Sequence, residues 1–200
     1  MDRNQQSTHP AIGEAFGGGF FAGLIRIGSA TYGLIVAPKL AGEISGEWGP
    51  RDTVEGAGSF FDGVANTQAM AYAGSDVAAL VRGLVIGGNT DWYIPSRDEL
   101  EICYRNLKPT DSDNVCWCGD NPSAYLPSYA YTPDTPAQTA VEAFREEGAE
   151  AFDPGWYWSS TQYAGNASPA WGQSFDGGTQ DNNDKGYKGR VRAVRRFLID

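Results

Sequence analysis

Two kinds of hydrophobic period follow one another along this chain, and each change of period marks an element. Residues 20–27 (FFAGLIRI) and 31–37 (TYGLIVA) are β-branched and aromatic runs separated by Gly28 and Ser29, which predicts a β-hairpin. Residues 42–59 are polar and Gly-rich and are expected as loop. A helical pattern follows, with Asp62 as N-cap of a helix that ends near Gly74. Residues 75–84 (SDVAALVRGL) give a second short helix or a continuation of the first, with Ala78, Val81 and Leu84 available to the core. The clearest start is at Ser96 and Glu99, an S-x-x-E capping box followed by Leu100, Cys103, Tyr104 and Leu107 at i, i+3, i+4, i+7. Pro109 stops that helix, and Cys103 on its apolar stripe reads as a small buried hydrophobe.

Residues 110–135 have no period and predict a long surface excursion. Thr135 as N-cap, Pro136 at the first helical position and Gln138 closing a capping box then predict a short helix to about Gly148. The 109–154 region has too few large apolar residues for a second core, so it reads as an insertion in one domain of residues 16–200. Residues 1–15 are a polar arm, expected to be held by a partner subunit. Strand patterns return at 156–160, 170–175 and 187–197. In the last, Lys188, Arg190 and Arg192 alternate with Gly189, Val191 and Ala193 until Val194 breaks the pattern, which predicts either a bulge or a strand buried on both faces. Period two puts Trp171, Gln173 and Phe175 on one face, with Trp171 and Phe175 as core anchors, and Ala170, Gly172 and Ser174 on the other. Trp156 and Trp158 share a face assigned to the core, which leaves Tyr157 and Tyr163 as the surface candidates. These elements give an α+β fold class, rich in loops.

Composition narrows the function. The chain has 200 residues, 41% hydrophobic, enough for one ordinary core, and its Gly 26 and Pro 11 fit short elements and many turns better than a helical bundle. A net charge of -10 argues against nucleic-acid binding, which needs a positive surface. Arg145 is the one cation between residues 109 and 184, against twelve acids, whereas Lys185, Lys188, Arg190, Arg192, Arg195 and Arg196 crowd the end. Such a division suggests internal pairing, with a solvated basic edge as the blander alternative. Cys103, Cys116 and Cys118 are an odd number and are expected as free thiols, and one His, in the arm, makes a Cys/His zinc site improbable. No apolar run reaches the length of a membrane span, and the first residues lack the pattern of a secretion signal, so synthesis in the cytosol is expected.

The segments GLIVAPK, ANTQAMAYAG, GGNTDWYIPSRDELEICYRN, YWSSTQY, AWGQSFDGG and YKGRVRAVRRF, in that order, resemble the DUF1566 or Lcl C-terminal domain family. The resemblance covers roughly residues 18–108 and 155–197. It implies a C-type-lectin-like fold, related to formylglycine-generating enzymes, with two main helices packed on small antiparallel sheets and the N- and C-terminal strands paired. Members of this kind occur in phage tail fibres, on other virion surfaces and on bacterial surfaces. The cysteine pair of the related enzymes has no counterpart here, because no cysteine follows Cys118.

The candidate site lies in the polar C-terminal segments. Tyr163, Asn166, Ser168, Gly172, Ser174, Asp176, Gln180, Asp181, Asn182 and Asn183 are adaptable hydrogen-bonding or small residues of the kind that suits recognition, although ordinary turns use them too. The TQDNND run offers oxygen ligands, but its spacing is not that of an EF-hand and no metal or other cofactor is assigned. No nucleophile, P-loop or zinc-protease motif is present, so no catalytic residue is assigned either. The expectation is a non-enzymatic phage virion surface protein, a tail-fibre tip or a particle decoration, that binds a host-surface glycan or protein. Its other partners would be virion subunits met through the arm and copies of itself, a trimer if borne on a fibre, with no nucleic acid and no membrane insertion. A purely structural capsid or fibre decoration with no host ligand is the alternative.

Overall fold

The computed structural model describes residues 9–125 and 129–199. In chain order it contains strands β1 (Ala15–Phe16), β2 (Gly19–Ile27) and β3 (Ala30–Val36), helix α1 (Lys39–Gly42) and strand β4 (Glu43–Glu47). Helices α2 (Gly63–Tyr72), α3 (Asp76–Arg82) and α4 (Arg97–Leu107) follow, then strands β5 (Trp156–Gln162), β6 (Pro169–Ser174), β7 (Gln180–Asp184), β8 (Lys188–Arg192) and β9 (Val194–Ile199). Two sheets result, β1-β2-β3-β9 and β4-β8-β5-β6-β7, so the fold is α+β. No helix among the described residues is long and apolar enough to cross a membrane.

The hairpin forms where its pattern predicts, with Ile27 opposite Ala30 and Gly28 in the left-handed region (φ 61°) that the turn requires. Its second strand pairs antiparallel with β9 from Thr31↔Ile199 to Val36↔Val194, so strands from the two ends of the chain share one sheet. The interruption at Val194 has a cause that neither a bulge nor two-faced burial describes. The C-terminal run is two strands: β8 pairs with β4 and β5, Ala193 exchanges backbone bonds with Ala37 and Gly42, and β9 then enters the other sheet. Strand β4 falls inside the stretch expected as loop; its ladder with β8 supplies the order that its sequence lacks.

Two of the three expected helix starts fold as read. Asp62 accepts from the Ala65 amide, and Ser96 and Glu99 make both halves of the capping box. Leu100, Cys103, Tyr104 and Leu107 are all buried. Ser96 is itself fully buried, so Ser96→Ala removes a cap with no water to replace it. The expected loss is about 1 kcal/mol, read as a lower urea midpoint with an unchanged slope. A midpoint equal to wild type would show that Glu99 alone holds this helix end.

The polar face of α4 anchors the excursion. Glu101, only 1% exposed, accepts from Tyr131 Oη at 2.6 Å, Asn121 Nδ2 at 2.7 Å and Arg105 Nε at 2.9 Å. Arg105 in turn donates to the Gly119 carbonyl and lies over the rings of Tyr129 and Tyr131. Asn114 accepts from Tyr104 Oη and donates to the carbonyls of Thr132, Pro133 and Pro136. The helix expected from Thr135 does not form; only a short 3₁₀ turn, Glu142–Phe144, is present. Gln138, expected to close a cap, donates to the Pro109 carbonyl, and the Thr139 amide bonds to the Lys108 carbonyl. Tertiary partners thus take the groups that a helix would have satisfied locally. The excursion also sends Tyr131, Phe144 and Phe152 into the core between β2, α4 and β5.

Of the arm, residues 1–8 lie outside the described residues. The rest packs on its own chain: the His9 ring stacks on Phe21 at 5.2 Å, and Gly13 N donates to the Phe21 carbonyl. Four of the six crowded C-terminal cations, Arg190, Arg192, Arg195 and Arg196, pair with acids of the same chain, mostly ones outside residues 109–184. Arg195 holds Asp91, Arg196 holds Asp62 and Glu99, and Arg192 bridges Glu43 and Glu150. The three cysteines are free, Cys103 and Cys118 buried and Cys116 exposed.

Candidate ligand-binding cleft

The polar run expected as a recognition loop is a strand. Residues Gln180–Asp184 form β7, the edge of the five-stranded sheet, with Gln173↔Gln180, Gly172↔Asp181 and Ala170↔Asn183 in register. Their amides and carboxyls stay polar because an edge strand meets water on its free side. On the other side of β5, β8 pairs in parallel only at Tyr157↔Arg190. A cleft of about 280 Å³ occupies the opening that this leaves.

Its lining comes from both sides of the opening. Trp156, Tyr157, Trp158 and Gly172 come from β5 and β6, Asp181, Asn182 and Asn183 from β7, and Tyr187 and Gly189 from the start of β8. Two glycines keep it open. A Cβ at Gly172 would stand 2.8 Å from the Tyr157 carbonyl oxygen, and one at Gly189 would stand 2.6 Å from Trp158 Nε1. That indole N–H has no hydrogen-bond acceptor among the described residues, a buried donor left unmet beside the Gly189 wall. Trp156 is 41% and Tyr187 57% exposed, so both present ring surface to the cleft.

Four of the expected site residues meet here: Gly172, Asp181, Asn182 and Asn183. The other six do not. Tyr163 packs against Trp171 at 5.5 Å, and Asn166 and Ser168 form a turn in which Ser168 Oγ donates to Asp184. Ser174 and Asp176 close the β6–β7 turn at the opposite end. Gln180 is buried, with its side-chain oxygen accepting from Arg97 and its backbone amide facing Cys118 Sγ.

The aromatic assignments need correction too. Tyr157 is fully buried among Phe152 and Phe175, with its hydroxyl donating to Glu43, whereas Trp156 is exposed. Trp158 is core as expected, but Trp171 is half-buried against the Arg97 guanidinium rather than a core anchor like Phe175. Strand β5 is covered on both faces, so period two cannot tell which face is inside. The sequence marked the missed residues only through glycines beside aromatic residues, as in GWYW and GYKG.

Asp181 is the one carboxylate in the described lining of the cleft, and paired-carboxylate hydrolysis needs two. Along β7, Asp184 is engaged by Arg51, Ser168 and the Gly186 amide, and Asn182 Nδ2 donates to Asp181 Oδ1 at 3.3 Å. Among the described residues no three His, Cys, Asp or Glu side chains gather where they could hold a metal.

Comparison with protein-family models matches residues 51–195 to the Lcl C-terminal domain. The match begins later than the resemblance read from the motifs and takes in the excursion. No curated protein matches the chain.

Proposed function

The chain belongs to the Lcl C-terminal domain family, and from that premise we propose that it is a non-enzymatic recognition domain on a phage virion surface, binding a host-surface glycan in the cleft beside β7. The observation that carries this reading is the pairing of two exposed aromatic residues, Trp156 and Tyr187, with the amides and carboxyl of Asp181, Asn182 and Asn183 around one recess. Sugar rings have an apolar face that lies against an aromatic ring and a rim of hydroxyls that amides bind. A recess of about 280 Å³ suits one or two rings. A protein partner would instead need roughly 800 Å² of its own surface to be covered, and is the weaker reading. The C-type-lectin-like architecture and a tail-fibre or particle-decoration location follow from the resemblance. So do assembly with other virion subunits through the arm and a homo-oligomeric, trimeric state on a fibre.

The test is binding of the full chain to a glycan panel and to intact host cells. Tyr187→Ala and Asn183→Ala are each expected to weaken binding about tenfold while unfolding stays as in wild type, because both side chains are exposed. Binding by wild type that neither variant alters would move the site elsewhere. Loss of all adsorption, with incorporation into particles retained, would favour the structural decoration role.

A further inference from the structure

The described lining of the cleft carries one charged side chain, the Asp181 carboxylate, and no cation. Gly172 is paired with Trp158 on one side and with Asp181 on the other, so this row across β5, β6 and β7 points to one face of the sheet. A Cβ at Gly172 would stand 3.5 Å from Cε3 of the Trp156 ring. The carboxylate therefore shares its side of the sheet with the exposed Trp156 ring, and the exposed Tyr187 lines the same cleft from the start of β8.

The charge of Asp181 is not matched within the chain. Its Oδ1 accepts from the Asn182 amide at 2.7 Å and from Asn182 Nδ2 at 3.3 Å, whereas Oδ2 has no partner among the described residues. No ion pair joins Asp181 to a cation among them. Cations that reach β7 are engaged elsewhere: Arg51 holds Asp184, and Arg97 bonds Gln180 with its guanidinium against the rings of Phe60 and Trp171. On β8, Lys188 and Arg190 alternate with Gly189 and so point away from the face that Gly189 turns to Trp158. There Arg190 lies 3.3 Å from Asp153, and Glu47 stands across the ladder from Lys188.

We propose that the cleft selects a hexosamine whose amine is free and protonated, with the ammonium set between Asp181 and the rings of Trp156 and Tyr187. This rests on the recognition role of the cleft and adds the ligand class. An ammonium is attracted both to the face of a Trp or Tyr ring and to a carboxylate. Asp181 is exposed, so the contact forms without burying a lone charge. An acidic sugar would meet Asp181 as a like charge, and an N-acylated sugar brings no charge to it. The hydroxyls of the ring remain for Asn182 and Asn183.

Calorimetric titration of the full chain with a glucosamine disaccharide, its N-acetylated form and the parent glucose disaccharide tests this, in mildly acidic buffer where the amine is charged. At low salt the free amine is expected to bind about fivefold tighter than either neutral sugar, an advantage that shrinks at high salt. Asp181→Asn should bring the ratio of affinities close to one. Glu146→Gln, which removes one charge from an exposed position outside the cleft lining, should leave that ratio as in wild type. Equal affinity for charged and neutral sugars, or an equal fall in the ratio in both variants, overturns the proposal and leaves the cleft reading standing. If none of the three sugars binds, the proposal falls and the glycan panel decides the cleft reading.

Discussion

Arg192→Ala is expected to cost about 3–5 kcal/mol. The side chain is fully buried at the junction of the two sheets. Its Nε donates to the Ala37 carbonyl at 2.7 Å, Nη2 to Glu150 at 2.8 Å and Nη1 to Glu43 at 3.4 Å, while its plane lies over Phe152. Burial lowers its pKa and the two carboxylates oppose that, so the charge belongs to a set whose members depend on one another. Truncation takes the shared cation away from Glu43 and Glu150. Arg192→Lys is expected to recover little, because one ammonium cannot reach three partners in a plane. Urea unfolding of both variants decides it, and Arg192→Met keeps the volume should the alanine variant not fold. A loss below about 1 kcal/mol in all three would mean that the ion pairs behave like exposed ones.

Asp98→Asn is expected to stabilise the protein by about 2 kcal/mol near neutral pH and by almost nothing at pH 4. Burial against the excursion raises the Asp98 carboxyl from 3.8 to about 6, with Glu101 and Glu99 adding to the rise; Ser123 Oγ, 2.5 Å away, and Arg97 oppose it. The folded state therefore holds a proton that the unfolded chain releases near its ordinary value. Stability contributed by this group declines as pH rises from about 4 to 6 and is lowest above that range. Asparagine can still accept from Ser123 and has no charge to bury. Thermal unfolding of both proteins across this range should show curves that meet in acid and separate toward neutrality. An asparagine variant less stable than wild type at neutral pH would show that the carboxylate is better solvated, or better held by the start of α4, than its burial implies.

Local signals were legible wherever a residue's partner lay within a few positions. The Asp62 and Ser96–Glu99 caps, the stripe on α4 and the hairpin at Gly28 all have this character. The same kind of signal failed at Thr135, where Asn114, Lys108 and Pro109 compete for the backbone and side-chain groups that would have started a helix. The candidate site was half legible. Polar composition pointed to the end of the chain and found Gly172 and Asp181–Asn183, but period two placed Tyr157 and Trp156 on the wrong sides because β5 is covered on both faces.

By itself the sequence determined the α+β class, the helix starts at Asp62 and Ser96 and the chemistry of the candidate region, since these depend on side-chain type and near spacing; the pairing of the end strands was implied by the family resemblance. Only the tertiary structure decided that β4 and β7 are strands, that Val194 opens a second sheet, and that Tyr187 and Gly189 face Asp181 across a cleft. The reason is physical. An edge strand of polar residues gets its order from its neighbour's backbone, and a cleft depends on where two strands diverge, neither of which one segment's pattern contains.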